Sequence, residues 1–288
     1  MPDLVLVKLG GSVITDKSRF FAAREEVVRR LGREIRKVMS ARPGLLLIIG
    51  HGSGSFGHVV AHAYRTDLGV HDEQSWQGYA ETARAAARLN RLVTDWLSEE
   101  GLPVVSFQPS ASAQCRGRHL LRLELEPIQR VLHAGLMPIL YGDVAVDDLQ
   151  GFAIISTEQI FGHLARHLAP KRIVLAGIVD GVYEVDPLRQ PGAARIAEIT
   201  PQNWPQVCAK LGGSHATDVT GGMLTKVQAM VDLVAAQPDL RIHIVSGAIP
   251  GRVHEALIAD APVGTTICAG GSPLFSIVPC LRKGAQGG

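Results

Sequence analysis

Lys8 precedes Gly10-Gly11-Ser12, residues 52–58 read Gly-Ser-Gly-Ser-Phe-Gly-His, Gly142 precedes Asp143, and Gly221-Gly222 lies just ahead of Lys226. Each grouping suits a phosphate. Glycines let an anion approach the main chain, helix-start N–H groups donate to it, and lysine adds a compact charge. Several such groupings exceed the needs of one anion and point to two phosphorylated ligands meeting. That is the situation of phosphoryl transfer, which runs on positioning and on neutralising charge spread over the transferred oxygens.

Several known phosphate machines are excluded. There is no G-x-x-x-x-G-K-[S/T], no protein-kinase H-R-D or D-F-G set, and no G-x-S-x-G elbow. Gly52, Gly54 and Gly57 do fit G-x-G-x-x-G. A dinucleotide site also needs an acidic residue ending a strand about 20 residues on, and Val70-His71-Asp72-Glu73-Gln74-Ser75 is polar there. Taken singly, Lys17 and Lys226 read as solvated side chains, His58 as a surface histidine and Lys8 as a strand-end residue. Their weight comes from the glycines beside them.

The elements that must position these groups alternate. Apolar runs at Leu4–Val7, Leu45–Ile49, Val104–Phe107, Pro138–Tyr141, Arg172–Ala176 and Ile242–Val245 read as strands, with shorter ones at 152–155 and 264–267. Val27, Leu31, Ile35 and Val38 set a helix over about 23–40 by their spacing. Further helices are expected from Trp76 to Glu99, from Pro127 to His133, from Thr157 to Leu168, over 253–259, and after Asp218-Val219-Thr220-Gly221-Gly222. Residues 65–75, 108–122 and 188–215 read as loops. Strands alternating with helices predict a parallel sheet covered on both faces, whose ligands bind beyond the strands' carboxyl ends, where these turns fall.

Composition agrees with a soluble α/β enzyme. The chain has 288 residues, is 46% hydrophobic and 19% charged, and carries a formal charge of +2. That charge and the absence of basic runs argue against nucleic acid. The N-terminus lacks a signal-peptide pattern and no apolar stretch reaches a membrane span, so a cytoplasmic protein without membrane contact is expected. Cys115, Cys208, Cys268 and Cys280 are scattered, and no metal-ligand set is expected from them.

The motifs, taken together, resemble the amino acid kinase family. They are Val7-Lys8-Leu9-Gly10-Gly11-Ser12-Val13-Ile14-Thr15-Asp16-Lys17, Gly52 to His58, Tyr141-Gly142-Asp143-Val144, Val179-Asp180-Gly181-Val182-Tyr183 with Asp186-Pro187, and Asp218 to Gly222 with Lys226. The Ile14–Lys17 and Ser55–His58 pieces are similar to the branch acting on small isoprenyl monophosphates such as isopentenyl phosphate. The resemblance implies a single domain, a three-layer αβα sandwich with a mostly parallel open sheet, usually a homodimer. Residues 1–170 would form an acceptor half, 171–270 a nucleotide half, and 271–288 a tail. ATP would be the co-substrate, with Mg²⁺ held mostly by phosphate oxygens and water.

The resemblance also implies roles. Lys8, Lys17 and Lys226 would contact the ATP phosphates and stabilise the transferring group. Gly10, Gly11, Ser12, Gly54, Gly221 and Gly222 would supply backbone donors, with Asp180 and Tyr183 bordering the nucleotide. Ser53, Gly54, His58 and Gly142 would hold the acceptor's phosphate. Tyr79, Ala83, Ala86 and Ile154 are expected to line a pocket for an apolar tail. The chain departs from the family pattern at Ser53, where a glycine is usual, at Glu158, which would replace an aspartate that organises the lysines, and at Ile178, where an acid is usual. Two alternatives share the pattern: a kinase for a small phosphonate such as fosfomycin, and a non-catalytic nucleotide-sensing module.

Overall fold

The computed structural model describes residues 3–190, 192–213, 222–258 and 263–270. In the first half the chain forms β1 (Leu4–Leu9), α1 (Gly11–Ile14), α2 (Glu25–Ala41), β2 (Leu46–His51), α3 (Gly54–Ala63), α4 (Ser75–Glu99), β3 (Val104–Ser106), β4 (Gln114–Arg116), β5 (His119–Arg122), α5 (Glu126–His133) and β6 (Met137–Tyr141). It continues with β7 (Asp143–Asp147), β8 (Gly151–Ile155), α6 (Thr157–Leu168), β9 (Arg172–Gly177), β10 (Val182–Tyr183), β11 (Arg195–Ile196), β12 (Glu198–Ile199), α7 (Trp204–Gly213), α8 (Gly222–Ala236), β13 (Arg241–Ser246), α9 (Arg252–Ile258) and β14 (Thr265–Ile267).

An eight-stranded sheet runs in the order β12-β14-β13-β9-β1-β2-β6-β3. The neighbours from β13 to β3 are parallel, and β14 lies antiparallel to β13. Alternation along β1 splits the core in two. Leu4 and Leu6 join one apolar cluster with residues of α5, α6, α7 and α8; Val5, Val7 and Leu9 join another with α2, α3, α4 and α9. The expected αβα sandwich is thus formed by period-two strands that are apolar on both faces.

Two of the expected loops hold structure. Residues 108–122 contain β4 and β5, which join β7 and β8 in a separate four-stranded sheet, β5-β4-β7-β8. Residues 188–215 contain β11, β12 and α7. Strands of two to four residues such as Gln114–Arg116 and His119–Arg122 carry no apolar alternation to betray them, and α7 begins beside Pro205, which suits a helix's first turn.

Strand direction gathers the turns. β1, β2, β6, β9 and β13 all end at one edge of the sheet, so the turns at 10–12, 52–54, 142 and 178–181 share that edge. From β1 the chain works outward through β2 on one side, while β9 and β13 lie on the other. β1 therefore stands at the point where strand order reverses, the position at which open α/β sheets bind ligands.

Candidate active site

Lys8 is the next-to-last residue of β1 and pairs with Gly50 of β2 and Leu175 of β9. Alternation puts its side chain on the face of Leu6, toward α6. That helix starts on Ser156, whose hydroxyl accepts the Gln159 N–H at 3.2 Å, and carries Glu158 in its first turn, where an acid suits the helix dipole. Glu158 Oε1 lies 3.0 Å from Lys8 Nζ and 3.5 Å from Lys226 Nζ, with side-chain exposures of 10%, 12% and 52% in that order. Burial alone would raise the Glu158 pKa; Lys8, then Lys226, outweigh it and hold the carboxyl at about 2. Glu158 thus reaches two lysines with one oxygen, at the position where the family pattern has an aspartate.

Close approach of backbone explains the glycines. A Cβ on Gly11 would sit 2.6 Å from Gly54 N and 2.8 Å from its Cα, so the first two turns touch. Gly54 has φ +49°, the left-handed region that favours glycine. Thr15 bridges the turns: its Oγ1 donates to the Gly11 carbonyl at 2.7 Å and accepts the Ser55 N–H at 3.0 Å. Among the described residues the N–H groups of Ser12, Ser53 and Gly54 have no acceptor, as the first turns of α1 and α3 dictate. Ser53 adopts φ −74° and ψ −9°, an ordinary helical conformation, so serine is accommodated where the family has glycine.

His58 stands in the second turn of α3. Its edge is open, yet desolvation of the ring, followed by the charges of Lys17, Lys226 and Lys8, lowers its pKa, opposed by Glu158. Lys17 is exposed in the loop after α1, where Asp16 Oδ1 accepts the Ser18 N–H and hydroxyl at 2.9 and 2.7 Å. A cavity of about 270 Å³ opens beside it, lined by Ser12, Asp16, Lys17, Arg24 and Ile178. Gly142 donates its N–H to the His51 carbonyl at 3.0 Å, which ties the third turn to the end of β2.

Asp180 belongs to a different grouping. Its Oδ2 meets Arg195 Nη1 at 3.0 Å and Arg252 Nη2 at 3.2 Å, and its Oδ1 accepts the Ser246 N–H at 3.0 Å. The carboxylate anchors the segment after β9 to β11, β13 and α9. Tyr183 pairs with Arg195 in the β10–β11 hairpin. Gly221 lies outside the described residues, and Gly222 opens α8.

Of the residues expected to line an apolar pocket, Tyr79 joins an aromatic group. Tyr79 packs against Trp76 and Phe152 at ring distances of 5.6 and 5.4 Å. Its pKa is raised by burial and then by Asp143. Ile154 is partly exposed on β8, whereas Ala86 is buried in α4. Phe152 and Trp76, neither of them expected, complete an aromatic group that non-adjacent sequence positions could not reveal.

The comparisons follow this geometry. Residues 3–246 match the amino acid kinase family. The chain belongs to the amino acid kinase family. Within the family it is similar to the isopentenyl phosphate kinase of Methanothermobacter thermautotrophicus, 34% identical with 92% of this chain and 98% of that protein covered. It is 32% identical to the isopentenyl phosphate kinase of Thermoplasma acidophilum, over 92% of this chain and all of that one. Among solved structures, one described as "X-ray structures of isopentenyl phosphate kinase" superposes with a TM-score of 0.78 at 31% identity, covering 92% of this chain and 100% of the other. These likenesses and the converging lysines make the chain a kinase of this family.

Proposed function

We propose that the chain transfers the γ-phosphoryl group of ATP to isopentenyl phosphate, giving ADP and isopentenyl diphosphate. The observation that carries this reading is the pair of lysines, Lys8 and Lys226, held on Glu158 where β1 feeds two glycine turns in direct contact. The Gly10–Ser12 turn suits the nucleotide's phosphates, and the Gly52–Gly54 turn with Gly142 suits the acceptor's. In this reading the first 170 residues hold the acceptor and lend the Gly10–Ser12 turn to the nucleotide, and the following hundred form the rest of the nucleotide site.

In the reaction an acceptor phosphate oxygen forms a bond to the γ-phosphorus while the bond to the β,γ-bridging oxygen breaks. That nucleophile is already ionised at neutral pH, so no strong general base is needed. Lys8 and Lys226, held by Glu158, neutralise charge on the transferring group, and Lys17 reaches it from the loop after α1. His58, whose pKa is lowered by burial and then by the lysines, gains a proton more readily once a phosphate dianion sits beside it. The described residues hold no cluster of three or more acidic, histidine or cysteine ligands, and Glu158 is committed to lysines. Magnesium would therefore arrive on the ATP phosphates with its water shell.

The aromatic group of Trp76, Tyr79 and Phe152 packs α4 on the β7–β8 hairpin and gives that side of the acceptor half an apolar character, which suits an isoprenyl tail better than a small polar phosphonate. Among the described residues no helix is long and apolar enough to cross a membrane. The deciding experiment is turnover of purified protein with ATP, magnesium and either isopentenyl phosphate or fosfomycin. ADP and isopentenyl diphosphate are expected from the first pair; turnover with fosfomycin alone would overturn the proposal.

A further inference from the structure

His51 ends β2 immediately before the second glycine turn, and it is fully buried. Its backbone carbonyl accepts two donors, the Thr157 hydroxyl at 2.7 Å and the Gly142 N–H at 3.0 Å. Its ring lies against Tyr141 at 5.5 Å, nearly parallel. Nδ1 faces the Gly52 carbonyl at 3.1 Å, and Nε2 faces the Asn90 side-chain amide on α4 at 3.1 Å. The same amide is hydrogen-bonded to Ser106 on β3. One residue therefore touches both turns assigned to the acceptor and connects them to α4, α6 and β3.

We propose that His51 is a positioning residue for the acceptor-phosphate seat, a role that rests on the kinase reading above. Its carbonyl fixes Gly142, its Nδ1–H fixes the Gly52 carbonyl, and Asn90 with Ser106 fixes the ring. Proton counting supports this arrangement. Burial first, and then the nearby charge of Lys8, keeps the ring neutral. A neutral imidazole has one donor and one acceptor. As placed, Asn90 Oδ1 faces Nε2 and Nδ2 donates to Ser106 Oγ; with Nδ1–H on Gly52, exchanging the amide's near-isosteric O and N lets Nε2 accept from the NH₂ group while the amide carbonyl takes the Ser106 hydroxyl. Every member of the buried network is satisfied, the condition under which such a network fixes geometry.

The test pairs His51→Phe with Asn90→Leu. Phenylalanine keeps the contact with Tyr141 and the backbone carbonyl, and leucine avoids leaving an orphaned amide. Expected is a rise of about tenfold in KM for isopentenyl phosphate, as one lost buried hydrogen bond implies, with the KM for ATP changed less than about twofold. His51→Gln, which can donate and accept, should recover part of the loss. Amide hydrogen exchange read without substrate should be about tenfold faster at Gly52–Gly57 and unchanged on β13. Equal changes in both KM values, or unchanged exchange at the turn, would overturn the role. Should the double variant not fold, His51→Gln alone carries both readouts. Should wild-type protein ignore isopentenyl phosphate, the kinase reading fails, and the exchange comparison still decides whether His51 holds the turn.

Discussion

Glu158 and Asp180 are each a carboxylate with a side-chain exposure of 10%, set between two cations at 3.0 to 3.5 Å. Their partners differ in kind. Glu158 uses one oxygen on two lysines, whose point charges ride on flexible stems and can turn toward an arriving phosphate. Asp180 uses one oxygen on two planar guanidinium groups and the other on a backbone N–H, which leaves neither oxygen open. One cluster stores positive charge beside the glycine turns, and the other ties β11, β13 and α9 together. The number of charges is the same; release or commitment follows from lysine against arginine, and from Lys226 being half-exposed.

The sharpest way to break this contrast is at Lys8. Lys8→Ala should lower kcat/KM by about 10³-fold, the scale of losing a preorganised charge at the transferring group. A loss under tenfold would make the lysine cluster structural like its counterpart. His58→Ala should lower kcat/KM for isopentenyl phosphate by about 10²-fold while leaving ATP affinity nearly unchanged, if it makes a charge-assisted bond to the acceptor. Equal losses toward both substrates would assign it to the fold.

Asp180→Asn should act the other way. Two guanidinium groups would lose their counter-charge at a cost of about 2 kcal/mol, below the range for fully buried pairs because Arg195 is 39% exposed. Calorimetry should show a melting point lower by roughly 5 °C, with kcat for the folded protein little altered. A large kcat effect at unchanged melting temperature would give Asp180 a direct part in nucleotide binding.

Acid sharpens the comparison further. His243 on β13 and His163 on α6 have pKa values lowered from 6.5 to about 4, in both cases by burial first. The unfolded chain takes up these protons earlier, so their contribution to stability is complete above pH 6.5 and is lost as pH falls toward 4. The slope is about 1 kcal/mol per pH unit for each histidine. Glu158 stays ionised down to about pH 2, so its ion pairs outlast that window. A melting temperature that is flat between pH 7 and 4.5, or unaltered in slope by His243→Gln, would contradict this order.

What the sequence made legible follows from periodicity and adjacency. Continuous apolar runs reveal β1, β2, β6, β9 and β13, and glycines beside lysines mark the turns those strands feed. Glu158 was readable only as a substitute for an aspartate, because its lysine partners come from β1 and α8. His51 and Asn90 are 39 positions apart and leave no pattern, although they meet at 3.1 Å. The commitment of Asp180 was hidden for the same reason, since its arginines follow 15 and 72 positions later in the chain. Strands as short as β4 (Gln-Cys-Arg) and β5 (His-Leu-Leu-Arg) are too brief to show an alternating buried face in their letters.

The contact between Gly11 and Gly54 has a bearing on how such a protein can diversify. The two turns abut through main chain at Gly11 and Gly54, with the Thr15 side chain bridging them. The gap between the proposed donor and acceptor phosphates is therefore written into backbone geometry, while Trp76, Tyr79 and Phe152 stand apart from it on α4 and β8. Mutations in that aromatic group can alter which tail is admitted without moving the reacting atoms. Acceptor choice can drift while the chemistry stays fixed.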